Sequence, residues 1–239
     1  MTERFAGRGV LVAGGTGGLG AAVSLAFLRE GATVWVTFRR QAEFDALKLT
    51  AAEHGARLVG EVADVTDDTA AGQLVERMLA LHGHVDVLVN TVGGYAGGMP
   101  LWQTQAAVFE QMLALNLRSG YALSRAVVPS MLQRKRGAIV NIAAKAAIDH
   151  PAGAGAYAAS KAGALALLDS LAADLRATGI RVNTVLPSII DTQANRKAMP
   201  RADFSVWPKP DDIARVILFL CSDDAKVIHG AAIPVYGYS

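Results

Sequence analysis

Cysteine is almost missing: Cys221 is the one thiol in 239 residues. That excludes an internal disulfide and a multi-cysteine metal site. An excess of charge is missing too. Lys plus Arg is 23 and Asp plus Glu is 21, a formal net charge of +2. The balance gives no electrostatic case for nucleic acid or an anionic membrane as partner. Long apolar runs are absent. Val216–Cys221 is among the longest, far short of the ~18 residues a membrane span needs. Met1-Thr2-Glu3-Arg4-Phe5 has no signal-peptide pattern, and a cytoplasmic location is expected. Five histidines are scattered, so no metal site is expected. With 52% hydrophobic and 18% charged residues, the chain is too apolar for disorder and long enough to bury a sizeable core.

What is present is a regular alternation. Short apolar runs at Gly9–Ala13, Thr33–Phe38, Arg57–Val62, Val85–Val89, Gly137–Ile142, Arg181–Leu186 and Ala232–Val235 read as strands. Between them, Gly18–Arg29, Ala42–His54, Thr69–His82, Gln105–Arg134, Ala156–Thr178 and Asp211–Cys221 read as helices, the fourth bent near Pro129. Ser188–Pro208 has no clear period and reads as a mobile loop. Arg134-Lys135-Arg136 reads as a solvated helix end. Continuous apolar strands imply burial on both faces, and strands separated by helices imply right-handed crossovers. The expected architecture is α/β: one doubly wound, Rossmann-type parallel sheet over residues 1–239. Ligands in such sheets sit beyond the carboxyl ends of the strands. The loops at 14–20, 90–98, 143–155 and 187–208 all leave those ends and are expected to converge on one cleft.

Two motifs carry chemistry. Ala13-Gly14-Gly15-Thr16-Gly17-Gly18-Leu19-Gly20 lies between a strand and a helix. Glycines there let the backbone approach a pyrophosphate, and the helix start offers free N–H groups and a positive dipole end. The strand–loop–helix context favours this over a bare tight turn. The next strand ends in Phe38-Arg39-Arg40 with no carboxylate, so two guanidiniums are available for a 2′-phosphate. NADP(H) is expected over NAD(H); the alternative is a solvated pair of loop charges. The second motif is Tyr157-Ala158-Ala159-Ser160-Lys161, opening a long helix. Tyr and Lys at i and i+4 share a face, and an ammonium beside a phenol lowers the phenol pKa. Such a Tyr can pass a proton near neutral pH. A surface Tyr–Lys pair one turn apart is the plainer alternative.

Together these motifs resemble the short-chain dehydrogenase/reductase family over essentially the whole chain. Gly14–Gly20 is similar to its Gly-x-x-x-Gly-x-Gly loop, and Asp64-Val65 to its adenine-side Asp-Val. Asn90-Thr91-Val92-Gly93 loosely resembles its Asn-Asn-Ala-Gly. Asn116 resembles the helix Asn that holds a proton-relay water, and Tyr157 with Lys161 the catalytic Tyr-x-x-x-Lys. Pro187-Ser188, Ile190 and Thr192 fall where the family flanks the nicotinamide. The resemblance implies a single domain binding a dinucleotide at Gly14, Thr16, Gly17, Gly18, Leu19, Gly20, Phe38, Arg39, Arg40, Asp64, Val65, Asn90, Val92 and Gly93. It also implies pairing of long helices into a homodimer or homotetramer, for which Ala162, Gly163, Ala166, Leu167 and Ser170 are the candidate face.

One departure stands out. The family places a catalytic Ser thirteen residues before the Tyr, and that position here is Ala144, preceded by Ala143. Losing an oxyanion donor costs about 10²–10³ in rate. Thr91, Lys145 and Ser188 are the nearest polar candidates by sequence. Dihydropteridine reductase has the same gap, and the chain resembles it further. The matching stretches are Gly93–Gly98, Ala144–Ala147, and the run from Asp191 through Asn195-Arg196-Lys197 to Trp207. The implied substrate is a small conjugated or imine-type molecule contacted by Tyr95, Ala144, Lys145 and Trp207, with 188–208 as substrate loop. Trp102 is a further aromatic candidate. Other readings are a carbonyl or 3-oxoacyl reductase with a substitute donor, and a non-catalytic NADP-binding redox sensor.

Overall fold

Seven apolar segments pair side by side in one parallel sheet. They are β1 Gly9–Ala13, β2 Thr33–Phe38, β3 Leu58–Val62, β4 Val87–Asn90, β5 Gly137–Ile142, β6 Ile180–Pro187 and β7 Ala232–Val235. The spatial order is β3-β2-β1-β4-β5-β6-β7. The order reverses at β1, so the crevice between the ends of β1 and β4 is the switch point where such sheets bind ligands. The structure, a computed structural model, describes residues 3–238. Met1 and Thr2, part of the N-terminal reading, and Ser239 lie outside the described residues, as does their share of the expected 1–239 domain.

Successive strand residues face opposite sides. On one side Val10, Val12, Val34 and Val36 pack with Val23, Phe27, Ile213 and Ile217 from helices α1 (Gly18–Arg29) and α9 (Pro210–Cys221). On the other, Leu11, Trp35, Leu88 and Ile139 meet residues such as Leu74, Leu123 and Leu168. These come from α3 (Asp68–His82), α5 (Ser119–Arg134) and α7 (Gly155–Asp174). Every residue of β1 and β5 is buried, while β7, at the sheet edge, has none that is. Cys221 is a core thiol, and burial pushes its pKa up to about 12. No helix among the described residues is long and apolar enough to cross a membrane.

Three elements depart from the sequence expectation in an instructive way. The helix read as Ala42–His54 is α2 (Gln41–Ala51), followed by a 3₁₀ turn over Ala52–Arg57 that begins at a left-handed Ala52. The strand read as Val85–Val89 is Val87–Asn90, preceded by Asp86, whose backbone N donates to Gly9 O and whose carboxylate accepts from Gly9 N. In the long helix, Pro129 lies inside α5. That helix is divided into α4 (Ala106–Leu113), a π turn over Ala114–Arg118, and α5. The extra residue in a π turn re-aims the side chains within it, a feature frequent at functional sites.

The segment after β6 lacks periodicity yet is not featureless. After the short helix α6 (Ala146–Asp149) and α7, it contains α8 (Gln193–Ala198) and a 3₁₀ turn Phe204–Val206. Caps organise it: Thr192 Oγ1 accepts from Asn195 N, Asp203 Oδ1 accepts from Ser205 N, and Arg196 pairs with Asp191. Helices this short are set by such side-chain bonds rather than by an apolar stripe.

Candidate active site

The glycine loop is shaped by close backbone approach. Gly14 is left-handed at φ +72°, and a Cβ on Gly20 would lie 2.1 Å from Gly14 O. Gly14 N donates to Thr37 Oγ1 at 2.8 Å, and Thr91 Oγ1 donates to Ala13 O at 2.7 Å. The loop is thereby stapled to β2 and to the end of β4. Gly17 caps α1 without a side-chain bond, and the first turn of α1 carries no acid. The N–H groups at that helix end are therefore left for an anion. Leu19 is buried in the core beneath the loop, and Thr192 reaches the loop from the far side, its Cγ2 packed over Gly18. Sequence-expected residues from the segments after β1, β2, β3 and β4 border one space, which no residue of 143–155 or 187–208 lines.

That space is a cavity of about 570 Å³. Gly14, Thr16 and Gly17 line one wall, Asp64 and Val65 another, and Val92 and Gly93 a third. Phe38, Arg39 and Arg40 reach it from the end of β2, with Phe38 stacked on Phe44 at 4.9 Å. Asp64 Oδ1 accepts from Thr66 N and Oγ1, which holds its carboxyl below the usual range. Asn90 is spent structurally, donating to Asn141 Oδ1 at 2.9 Å and accepting from Val92 N. The chemistry of this lining fits a dinucleotide: uncapped helix donors for a pyrophosphate, a carboxylate for a polar base edge or sugar, and cations at the rim.

One expectation about this cavity is corrected. The sequence reading found no carboxylate near Arg39 and Arg40, yet Glu43 lines the same cavity. It forms an ion pair with Arg40 and accepts a hydrogen bond from Thr16 Oγ1 at 3.3 Å. The strand end itself carries no carboxylate, but one helical turn brings residue i+3 back beside Arg40.

Beyond β5, α7 presents Tyr157 and Lys161. Lys161 is buried, and its Nζ donates to Ile142 O at 2.8 Å. Burial draws its pKa down to about 8. Tyr157 moves opposite to expectation: burial first, and then the neighbouring Tyr95, push its phenol up to about 12. The desolvation that depresses the lysine also penalises the phenolate, so here the ammonium does not win. Tyr95 meets Tyr157 edge-on, ring centres 5.0 Å apart.

Asn116 sits on the π turn and ties the second glycine-rich loop to this pair. Its Oδ1 accepts from Gly94 N at 2.9 Å, while its Nδ2 donates to Gly94 O and to Ser160 Oγ, each at 3.0 Å. A Cβ on Gly93 would lie 2.9 Å from Asn116 Oδ1 and 3.2 Å from Lys161 Nζ. Only a glycine lets that backbone lie against both. Ser160, which the sequence reading passed over, sits between the two motif residues, one step before Lys161.

On the substrate side, Ala143 and Ala144 are both buried and apolar. Two of the three substitute donors are committed elsewhere. The Thr91 hydroxyl serves Ala13 O, and Ser188 Oγ donates to Tyr236 O at 2.7 Å. Lys145 lies beside Asp149 at 3.7 Å and over the Tyr236 ring at 5.1 Å. Pro187 ends β6, where its carbonyl accepts from Lys145 N, and Ile190 O accepts from Asn195 Nδ2. Trp207 is buried against Phe204 and is not an exposed stacking surface, whereas Tyr95 and Trp102 are exposed. Among the described residues no group of three His, Cys, Asp or Glu side chains is gathered in a way that could hold a metal.

Fold and site together define a class, the doubly wound nucleotide-dependent oxidoreductases. Residues 8–203 match the model of the short chain dehydrogenases, and the chain belongs to that family. It is 31% identical over 242 residues to the 3-oxoacyl-(acyl-carrier-protein) reductase of Thermotoga maritima, with 98% of each chain covered. Among solved structures it is similar to ElxO with NADP bound, at TM-score 0.91 and 26% identity over 97% of this chain and 98% of that one. It shares its fold with NAD+-bound xylitol dehydrogenase at TM-score 0.87 and 24% identity, with 98% and 99% covered.

Proposed function

We propose that the chain is an NADP(H)-preferring reductase, able to use NAD(H), that works without the family's Ser hydroxyl. Its acceptor is a conjugated or imine-type small molecule such as a quinonoid dihydropteridine, as in the Ser-less branch that dihydropteridine reductase represents. The observation that carries this reading is the apolar, buried Ala143–Ala144 step, with the hydroxyls of Thr91 and Ser188 already spent on backbone carbonyls. A ketone needs a donor for its developing alkoxide. A quinonoid ring disperses the incoming charge over heteroatoms that can accept a proton directly.

Gly14–Gly20 would hold the pyrophosphate of a dinucleotide, which when bound would supply the hydride. Tyr157 gives the proton. A phenol pushed up to about 12 is fully protonated at neutral pH, the form a donor requires. Lys161, charged below about pH 8, anchors sugar hydroxyls. Asn116 positions Gly94, and one Oδ1 lone pair stays available for a relay water. Pro187, Ser188, Ile190 and Thr192 border the nicotinamide end. Segment 188–208 serves as substrate loop, with Tyr95, Lys145 and the Trp207 region facing the acceptor. The groove between α5 and α7, lined by Tyr121, Leu167 and Leu171, supports pairing into a homodimer or homotetramer. The even charge balance accords with a cytoplasmic setting.

The likeness to the 3-oxoacyl reductase favours a second reading, a carbonyl or 3-oxoacyl reductase in which Lys145 replaces the Ser. A panel of ketones, quinones, imines and quinonoid dihydropteridine, assayed with NADPH and NADH, separates the two. The primary reading expects turnover of the dihydropteridine and little gain on ketones from Ala144→Ser. A large gain on simple ketones supports the second reading. Oxidation of NADPH by none of the acceptors would leave a redox sensor.

A further inference from the structure

One of the two rim cations of the cofactor cavity is already paired with a carboxylate. Arg39 lies near enough to Asp64 to help hold its carboxyl down. Arg40 is paired with Glu43, whose other oxygen accepts from Thr16 on the glycine loop. Glu43 stands in the first turn of α2, where the helix dipole favours an anion. Its side chain is about one-third exposed, so solvent and ligand both reach it. An arginine already paired with a carboxylate is partly neutralised toward a phosphate, and the carboxylate repels the newcomer. The same carboxylate is an acceptor suited to a sugar hydroxyl.

We propose that Glu43 is a specificity-determining residue that competes with a 2′-phosphate for Arg40 and so narrows the preference for the phosphorylated dinucleotide. The inference rests on the cofactor reading above and adds to it the residue that sets its strength. The two guanidiniums read as an NADP signature in sequence, and Glu43 tempers it. It is a positioning group toward Arg40 and an electrostatic one toward the ligand.

Calorimetric titration of the full chain with two cofactor fragments, 2′,5′-ADP and 5′-AMP, tests this without reference to turnover. Glu43→Gln is expected to raise the affinity for 2′,5′-ADP relative to 5′-AMP about tenfold. Arg40→Gln closes a double-mutant cycle. It should lower the ratio less in the native background than in the Glu43→Gln background, where it removes most of the gain. An unchanged ratio in Glu43→Gln, with both fragments still bound, overturns the role of Glu43 alone. So does an Arg40→Gln effect that is equal in the two backgrounds. Failure of the native chain to bind either fragment overturns the cofactor reading and this inference with it.

Discussion

At the residue scale the chemistry turns on two buried groups with opposed pKa shifts. Tyr157 is a held proton, not a poised phenolate. Tyr157→Phe should therefore abolish reductive turnover while dinucleotide binding, followed by fluorescence titration, persists. Unchanged turnover would remove Tyr157 from the mechanism. Lys161 makes a different prediction. Its pKa drops from 10.5 to about 8 on burial, a cost of about 3 kcal/mol for keeping it charged at neutral pH. Between those two values the unfolded chain holds the proton and the native chain does not, so native stability gains as pH rises through that window. Lys161→Met lacks the titration. Denaturant unfolding should show the native chain gaining up to about 3 kcal/mol on this variant from pH 7 to pH 10, and a flat difference would contradict the shift. The Tyr–Lys spacing was legible in the sequence, but the direction of the phenol shift was not, because spacing says nothing about desolvation.

At the element scale, the π turn and the two glycine loops hold the site open. Asn116 replaces missing backbone partners for the loop at Gly94 and braces Ser160. Asn116→Ala leaves those groups unpaired and should cost about 2 kcal/mol, read as a shift in denaturant midpoint, together with a fall in kcat. Preserved kcat would reduce Asn116 to a structural part. Gly20→Ala is a harsher test: a Cβ 2.1 Å from Gly14 O forces the loop to move. Dinucleotide affinity should fall by at least tenfold, seen in the same fluorescence titration. The break between α4 and α5 escaped the sequence reading because an apolar pattern is nearly the same through a π turn as through an α-helix. Only the Gly94 contact, between residues far apart in sequence, gives the turn its purpose.

At the scale of the whole molecule, the two ends of the sheet do different work. The carboxyl end gathers the site. At the opposite end the buried Asp86 carboxylate accepts from Gly9 N at 2.9 Å and pairs with Arg134 at 3.0 Å and His84 at 3.1 Å. Arg134, exposed in the last turn of α5, is thus also a partner of a buried acid. Asp86→Ala should destabilise the fold by about 3 kcal/mol, since it strands Gly9 N and removes the partner of Arg134 and His84, while leaving dinucleotide affinity within twofold. A matching loss of affinity would show that the two ends are coupled.

The sequence by itself determined the alternation of strand and helix, the parallel sheet, the glycine loop and the Tyr157–Lys161 face. Each is written in residues close together along the chain, where periodicity, small side chains and helical spacing act. Tertiary structure alone decided that Glu43 answers Arg40 inside the cavity, that Thr91 and Ser188 have spent their protons, and that Trp207 is buried. Those outcomes depend on which distant groups share a desolvated space, and burial is a property of the folded whole rather than of any stretch of it.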